Sequence, residues 1–333
     1  MSALSQQNNK RIAKNTLLLY FRMLFSMGIG LFTSRIVLES LGIEDYGIYN
    51  LVGGIVTIFA FLNSAMIATS QRFISYELGK GNLHKLKDVF CTTLTIHIAI
   101  AFIIVVLSEV IGVWFLNTKL NIPSDRMMAA NWTLQLSIFV FAVNVISVPY
   151  NASIVAHEKM SAFAYISIFE VSLKLAIAYL LLFISYDKLI VYSILVFCVA
   201  LLLRSLYCFY CKRHFEECHY TFSFNIEQFR EMFAFAGWSF VGNLGFSFKD
   251  QLSNILLNLF FGTVVNAARG ISVQVGSLIN SFSANFMMAM NPQITKSYAV
   301  GDLYRSKELV YAGCRFSFYL LAVISLPIMI NIA

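Results

Sequence analysis

Apolar runs of about twenty residues or more, separated by short polar segments, occupy the chain from residue 12 to residue 331. A helix of about twenty apolar residues crosses a hydrocarbon core of roughly 30 Å. The pattern predicts nine spans: 12–40, 46–72, 88–116, 127–155, 160–184, 188–211, 229–260, 264–290 and 309–331. Strand-type alternation is missing from these runs. In lipid each backbone N–H and C=O has to be satisfied within its own segment, so the spans are helices. The expected fold class is all-α, a polytopic membrane helical bundle.

Composition sharpens this. Apolar residues make up 59% of the 333 and charged residues 12%, where a soluble domain is about half apolar and a quarter charged. The net charge of +7 could suit nucleic acid or a membrane surface, but the Lys and Arg lie between apolar runs, which selects the membrane. With a cytoplasmic N-terminus, that side holds Lys10, Arg11, Lys14, Lys80, Lys85, Lys87, Lys159, Lys212, Arg213, Lys296, Arg305 and Lys307. The other side holds Lys119, Arg126 and Lys188. Twelve against three predicts the N-terminus inside and, after nine crossings, Ala333 outside. The first apolar stretch runs past Leu38 with Arg22 and Arg35 inside it and no small-residue cleavage site, so it reads as a helix rather than a signal peptide.

A shift of about 220 residues lays Gly81-Asn82-Leu83 over Gly301-Asp302-Leu303, Lys85 over Arg305, Lys87 over Lys307 and Asp88 over Glu308. Six helices per repeat return the chain to the same side, which makes the repeat parallel, with an axis along the membrane normal. The expected organisation is a first lobe over 1–211, a connector over 212–228, and a second, incomplete lobe of three helices over 229–333.

The segments GIEDYGIYN (42–50), SQRFISYELGKGN (70–82) and AHEKM (156–160), with the six-helix repeat, resemble the bacterial polysaccharide flippases. These belong to the multidrug/oligosaccharidyl-lipid/polysaccharide exporter superfamily, which includes the MATE drug antiporters. The resemblance implies a multi-pass protein of the bacterial inner membrane that flips an undecaprenyl-diphosphate-linked oligosaccharide, a surface-polysaccharide or O-antigen precursor, by alternating access. It implies no enzymatic activity and no cofactor beyond coupling to H+ or Na+. The implied partners are the lipid-linked substrate, membrane lipids, a polysaccharide polymerase and a chain-length regulator, with no nucleic acid and a monomeric state. Family members have twelve or more helices, and nine are read here.

Charges within the spans are costly and mark cavities or partners. Arg22 has no acid at i±3 or i±4 and shares a polar face with Ser26 and Thr33, which points to a cavity role. Arg35 with Glu39, and Glu170 with Lys174, have the i,i+4 spacing of mutual neutralisation. Glu109, near an outer end, reads as snorkelling. Asn243, Ser247, Asp250, Asn254 and Asn258 fall within roughly 80° on one helix face, with Lys249 turned away to pair across the lobes. The next span carries Asn266, Arg269, Gly276 and Asn280. The substrate-cavity candidates are therefore Arg22, Arg269, Lys249, Lys174 and Arg35, with Arg22 and Arg269 expected to face each other around a diphosphate. Asp250, Glu170 and His97 are the candidates for ion coupling, although a lone buried His is more often a packing residue.

Other chemistry is weakly signalled. Cys208, Cys211, His214, Cys218 and His219 crowd the connector, but their spacing fits no standard zinc site, and His157-Glu158 lacks a second His. No metal site is expected, and a disulfide framework is not expected of the six cysteines. A MATE-type cation-coupled drug exporter is the alternative function; it should carry an Asp in the first helix, where this chain has Arg22 and Arg35. A membrane-embedded glycan enzyme would need a long loop or a convergent acid/base pair, and the connections are short.

Overall fold

The structure, a computed structural model, describes residues 3–57, 60–120, 122–221 and 226–332, with the side chains at Asn243, Ser247, Asp250, Asn254, Asn258 and Asn266 outside the described residues. Among the described residues nine α-helices follow one another: α1 (Ala3–Thr57), α2 (Ala60–Lys80), α3 (Leu83–Leu107), α4 (Val113–Thr118), α5 (Met127–Ala156), α6 (Met160–Leu180), α7 (Lys188–His214), α8 (Ile226–Ala299) and α9 (Leu303–Ile332). A π-helical turn over Ser108–Gly112 joins α3 to α4. No strand occurs among the described residues. Six stretches of these are long and apolar enough to cross a membrane: Asn9–Val56, Leu83–Thr118, Met127–Ala156, Met160–Phe183, Lys188–His214 and Leu303–Pro327. This is a multi-pass, all-helical membrane protein.

At two of the predicted connections the helix runs on. α1 runs on into the second span and is interrupted only at Gly42, whose φ of 79° and ψ of 170° leave the helical region. The positive φ is the conformation that glycine adopts without a Cβ clash, so the expected break at 41–45 falls on that single residue. α8 covers both the seventh and eighth predicted spans. Straight, it would put Glu231 and Ile294 about 95 Å apart at 1.5 Å per residue, yet both line one cavity with Tyr76. α8 therefore is not straight between these two residues.

The core is organised around α5, more than half of whose apolar window is buried, against a third or less in the other spans. Its Leu134 and Ile138 pack with Val37, Leu41 and Val52 of α1 and Leu189 of α7. Lipid is as apolar as leucine, so close packing and hydrogen bonds, more than water exclusion, hold such helices together. Ala129, Ala130, Ala142, Ala152 and Ala156 of α5 are buried, which lets neighbouring backbones approach.

The two copies of the repeat motif have the same local geometry. Gly81 and Gly301 have φ of 72° and 82°. Their amides bond to Leu78 O at 3.3 Å and Tyr298 O at 3.1 Å, and 78 and 298 are again 220 apart. Asn82 Oδ1 accepts from the Lys85 amide at 3.1 Å, and Asp302 Oδ1 from the Arg305 amide at 2.9 Å. Each Gly-Asx pair thus ends one helix and caps the next. Gly79 lies against Lys296 and Ala299, where a Cβ would stand 2.9 Å from Lys296 Cα.

The basic segments converge at one end of the molecule. Arg305 donates to Asn9 Oδ1 at 2.5 Å, and Arg11 and Lys296 meet Glu158. The opposite end holds Arg126 between Asp45 and Asp187.

Candidate functional site

Arg22 is half-buried on α1 and turned toward α6 and α8. Its Nη2 donates to Asn285 Oδ1 at 2.9 Å, and its guanidinium carbon stands 4.8 Å from the centre of the Phe163 ring. Asn285 is held in turn by the Ser281 carbonyl at 2.8 Å and by Met23 Sδ at 3.2 Å. Glu170 and Tyr207 lie within electrostatic range of the guanidinium. The buried Arg22 Nε has no hydrogen-bond partner, a costly state for a donor.

Beside this cation is a cavity of about 420 Å³ whose walls come from α2, α5, α6 and α8. Gln71, Asn151, Phe163, Ala284, Met288 and Asn291 line it. Phe163 is shared with Arg22, and Ala284 adjoins Asn285. Asn151 Oδ1 is buried without a partner, so the cavity wall also offers an unmet acceptor.

The other candidates scatter. Glu170 and Lys174 form the expected ion pair at 2.6 Å, and Lys174 borders a separate cavity of about 250 Å³ with Thr33, Tyr46, Tyr49 and Tyr192. Arg35 and Glu39 are both exposed, and the expected pair between them does not form among the described contacts. An exposed i,i+4 pair gains little over solvation, so nothing enforces it. Arg269 precedes Asn285 by sixteen residues, about 24 Å along a helix. Arg22 therefore faces Asn285, and the structure does not bring Arg22 and Arg269 together around one head group. Lys249 is exposed, and the Asp250 side chain lies outside the described residues. His97 is fully buried, its Nδ1 2.8 Å from the Thr93 carbonyl and its Nε2 without a hydrogen-bond partner. Glu109 accepts from Gln135 Nε2 at 2.8 Å instead of reaching out alone.

Two charge clusters stand outside the expected set. Glu158, in the link between α5 and α6, receives Arg11 Nε at 2.7 Å, Lys296 Nζ at 2.7 Å and Gln293 Nε2 at 2.6 Å. Burial pulls the Lys296 ammonium below its ordinary value although Glu158 acts the other way. At the opposite end, Arg126 donates to Asp45 Oδ1 through Nε at 2.8 Å and to Asp187 Oδ2 through Nη1 at 2.8 Å. Glu158 and Asp45 stand in segments already visible in the sequence, AHEKM and GIEDYG, but each of their cations comes from a distant element that only folding supplies. From the α5–α6 link, His157 stacks on Phe215 of the connector at 3.9 Å and meets Glu217 at 2.6 Å. A hydrogen bond with Cys211 and burial push the Cys218 thiol far up. The described residues contain no group of three or more His, Cys, Asp or Glu placed for a metal.

A family model described as "Polysaccharide biosynthesis protein" matches residues 12–297. The chain is 19% identical over 305 residues to the uncharacterized membrane protein EpsK of Bacillus subtilis (strain 168), covering 90% of this chain and 59% of EpsK. It therefore spans a little under two thirds of that relative's length. Among solved structures, a multidrug resistance MATE transporter of the MOP superfamily in an outward-facing conformation aligns with a TM-score of 0.81 at 12% identity, over 96% of this chain and 71% of that one. A point mutant of the Vibrio cholerae MATE transporter VcmN gives 0.80 at 15% identity, over 98% and 74%. A MOP superfamily transporter from Pyrococcus furiosus, in which reverse polarity of the binding pocket suggests a different function, gives 0.77 at 13%, over 97% and 72%. The protein belongs to the polysaccharide biosynthesis protein family and has the MATE-like fold.

Proposed function

We propose that this transporter flips an undecaprenyl-diphosphate-linked oligosaccharide, a surface-polysaccharide precursor, from the cytoplasmic to the periplasmic leaflet of a bacterial inner membrane. In this reading residues 1–211 form one lobe, 212–228 the connector and 229–333 part of the other lobe, and the lobes alternate around the cavity beside Arg22. The observation that carries it is Arg22 itself. From residue 12 to residue 38, α1 bears no acid, and the guanidinium beside the cleft keeps an unmet Nε donor. A planar cation in a partly buried site suits phosphate oxygens.

A drug exporter of the MATE type would have to hold an organic cation here. The acid in range of Arg22, Glu170, is already neutralised by Lys174, so it leaves no negative charge over for such a substrate. In the Pyrococcus furiosus transporter, too, a change in pocket polarity goes with a suggested change of function. Coupling to a proton or sodium gradient is assigned to Asp250, the acid of the polar stripe on α8, and a polymerase and chain-length regulator would act on the product.

Deleting the gene in its host should abolish a surface glycan and cause its lipid-linked precursor to accumulate inside. Normal glycan display with gained drug sensitivity would instead establish the exporter reading.

A further inference from the structure

Three layers follow one another from the basic end inward, in register on two helices. On α1 they are Arg11 and Asn15, then Leu19, then Arg22; on α8 they are Lys296 and Gln293, then Ala289, then Asn285. Successive layers are about one helical turn apart. The outermost is the Glu158 cluster. The Glu158 carboxylate is 1% exposed, and its two oxygens receive Arg11, Gln293 and Lys296, while its carbonyl accepts from Asn15 Nδ2 at 3.3 Å. Behind it, Leu19, Val155, Met160 and Ala289 form a buried apolar layer. Behind that lie Arg22 and the cavity, which Val155 and Met288 also line. The basic end of the cleft is thus closed by one ionic layer and one apolar layer.

Glu158 has φ of 59°, the positive-φ position among non-glycine residues of the described chain. An L residue is strained there, and such strain persists only where surrounding contacts over-determine it. The cluster that holds it joins segments far apart in sequence: the start of α1, the α5–α6 link and the end of α8. A buried carboxylate deprived of its cations is strongly disfavoured, and two cations deprived of their carboxylate repel each other. The closed arrangement therefore depends on this one acid.

We propose that Glu158 is an interlock: with Arg11, Gln293 and Lys296 it holds the cleft shut at the basic end, and it has to let go before substrate enters from that side. This rests on the alternating-access reading. Asn291 lines the cavity behind the interlock, so Asn291→Cys in the membrane-embedded protein reports access. The probe is a membrane-impermeant maleimide applied from the face bearing residues 10–14, with matched variants lacking Asn291→Cys as background. Glu158→Gln should accelerate labelling about tenfold, as expected for a population shift of that size. Arg11→Gln, at a half-exposed position and so less disruptive to folding, should accelerate it in the same direction. Lys296→Arg, which keeps the charge, should stay within about twofold of the parent, and Arg126→Gln at the opposite end should have no effect. Parental rates in both Glu158→Gln and Arg11→Gln would overturn the interlock. If the parent fails to flip lipid-linked oligosaccharide while Glu158→Gln still opens, the substrate reading falls and the interlock stands.

Discussion

Arg126 makes two acids behave as one unit. It bridges Asp45, just after the Gly42 break, to Asp187, whose Oδ1 also caps α7 by accepting the Leu189 and Ile190 amides at 3.1 and 3.2 Å. Burial raises the Asp187 carboxyl, but the Arg126 hydrogen bond and these amides outweigh it and hold it below its ordinary 3.8. A carboxyl lowered in the folded state contributes stability above its unfolded value, and that contribution fades as pH falls through the folded value. The thermal stability of the detergent-solubilised protein should therefore exceed that of Asp187→Asn by a constant margin above about pH 5. The margin should shrink progressively below pH 3.8. A margin independent of pH would show that the ion pair contributes nothing. At this scale the sequence was legible only for neighbours: Glu170 and Lys174 pair as their spacing demands. Asp45–Arg126 and Glu158–Lys296 could not be read, because no local pattern links residues 81 and 138 positions apart.

Helices were legible through their apolar runs, and their ends through glycine. Gly42, Gly81 and Gly301 all take positive φ, and each stands where the expected spans break or restart. Gly79 is different, because it is helical and its role is space. A Cβ there would meet Lys296 Cα at 2.9 Å and Ala299 Cβ at 3.0 Å, so α2 and α8 touch through its missing side chain. Gly79→Ala should favour the helix locally but force the two apart, a net loss of about 1–3 kcal/mol, visible as a lowered melting temperature. Gly237→Ala, on α8 with open space around it, should be neutral or stabilising and serves as the control. Equal stability of parent and Gly79→Ala would mean that the contact yields. The close approach was unreadable beforehand, because a helical glycine carries no sign of what packs against it.

For the whole molecule, the repeat at 220 residues foretold matching Gly-Asx corners. It did not foretell which cations would share a site. Register decides that: α1 and the end of α8 run past each other so that Arg22 meets Asn285, leaving Arg269 farther along. The central claim is that a cation beside the cleft serves an anionic lipid-linked substrate, and it is tested most directly by oligosaccharide flipping in reconstituted vesicles at equal protein abundance. The account predicts that Arg22→Gln loses a charge-assisted contact of about 1.5–3 kcal/mol, a fall of roughly 10- to 150-fold in apparent affinity, and that Arg22→Lys keeps part of it. Parental flipping at every substrate concentration by Arg22→Gln would contradict the account.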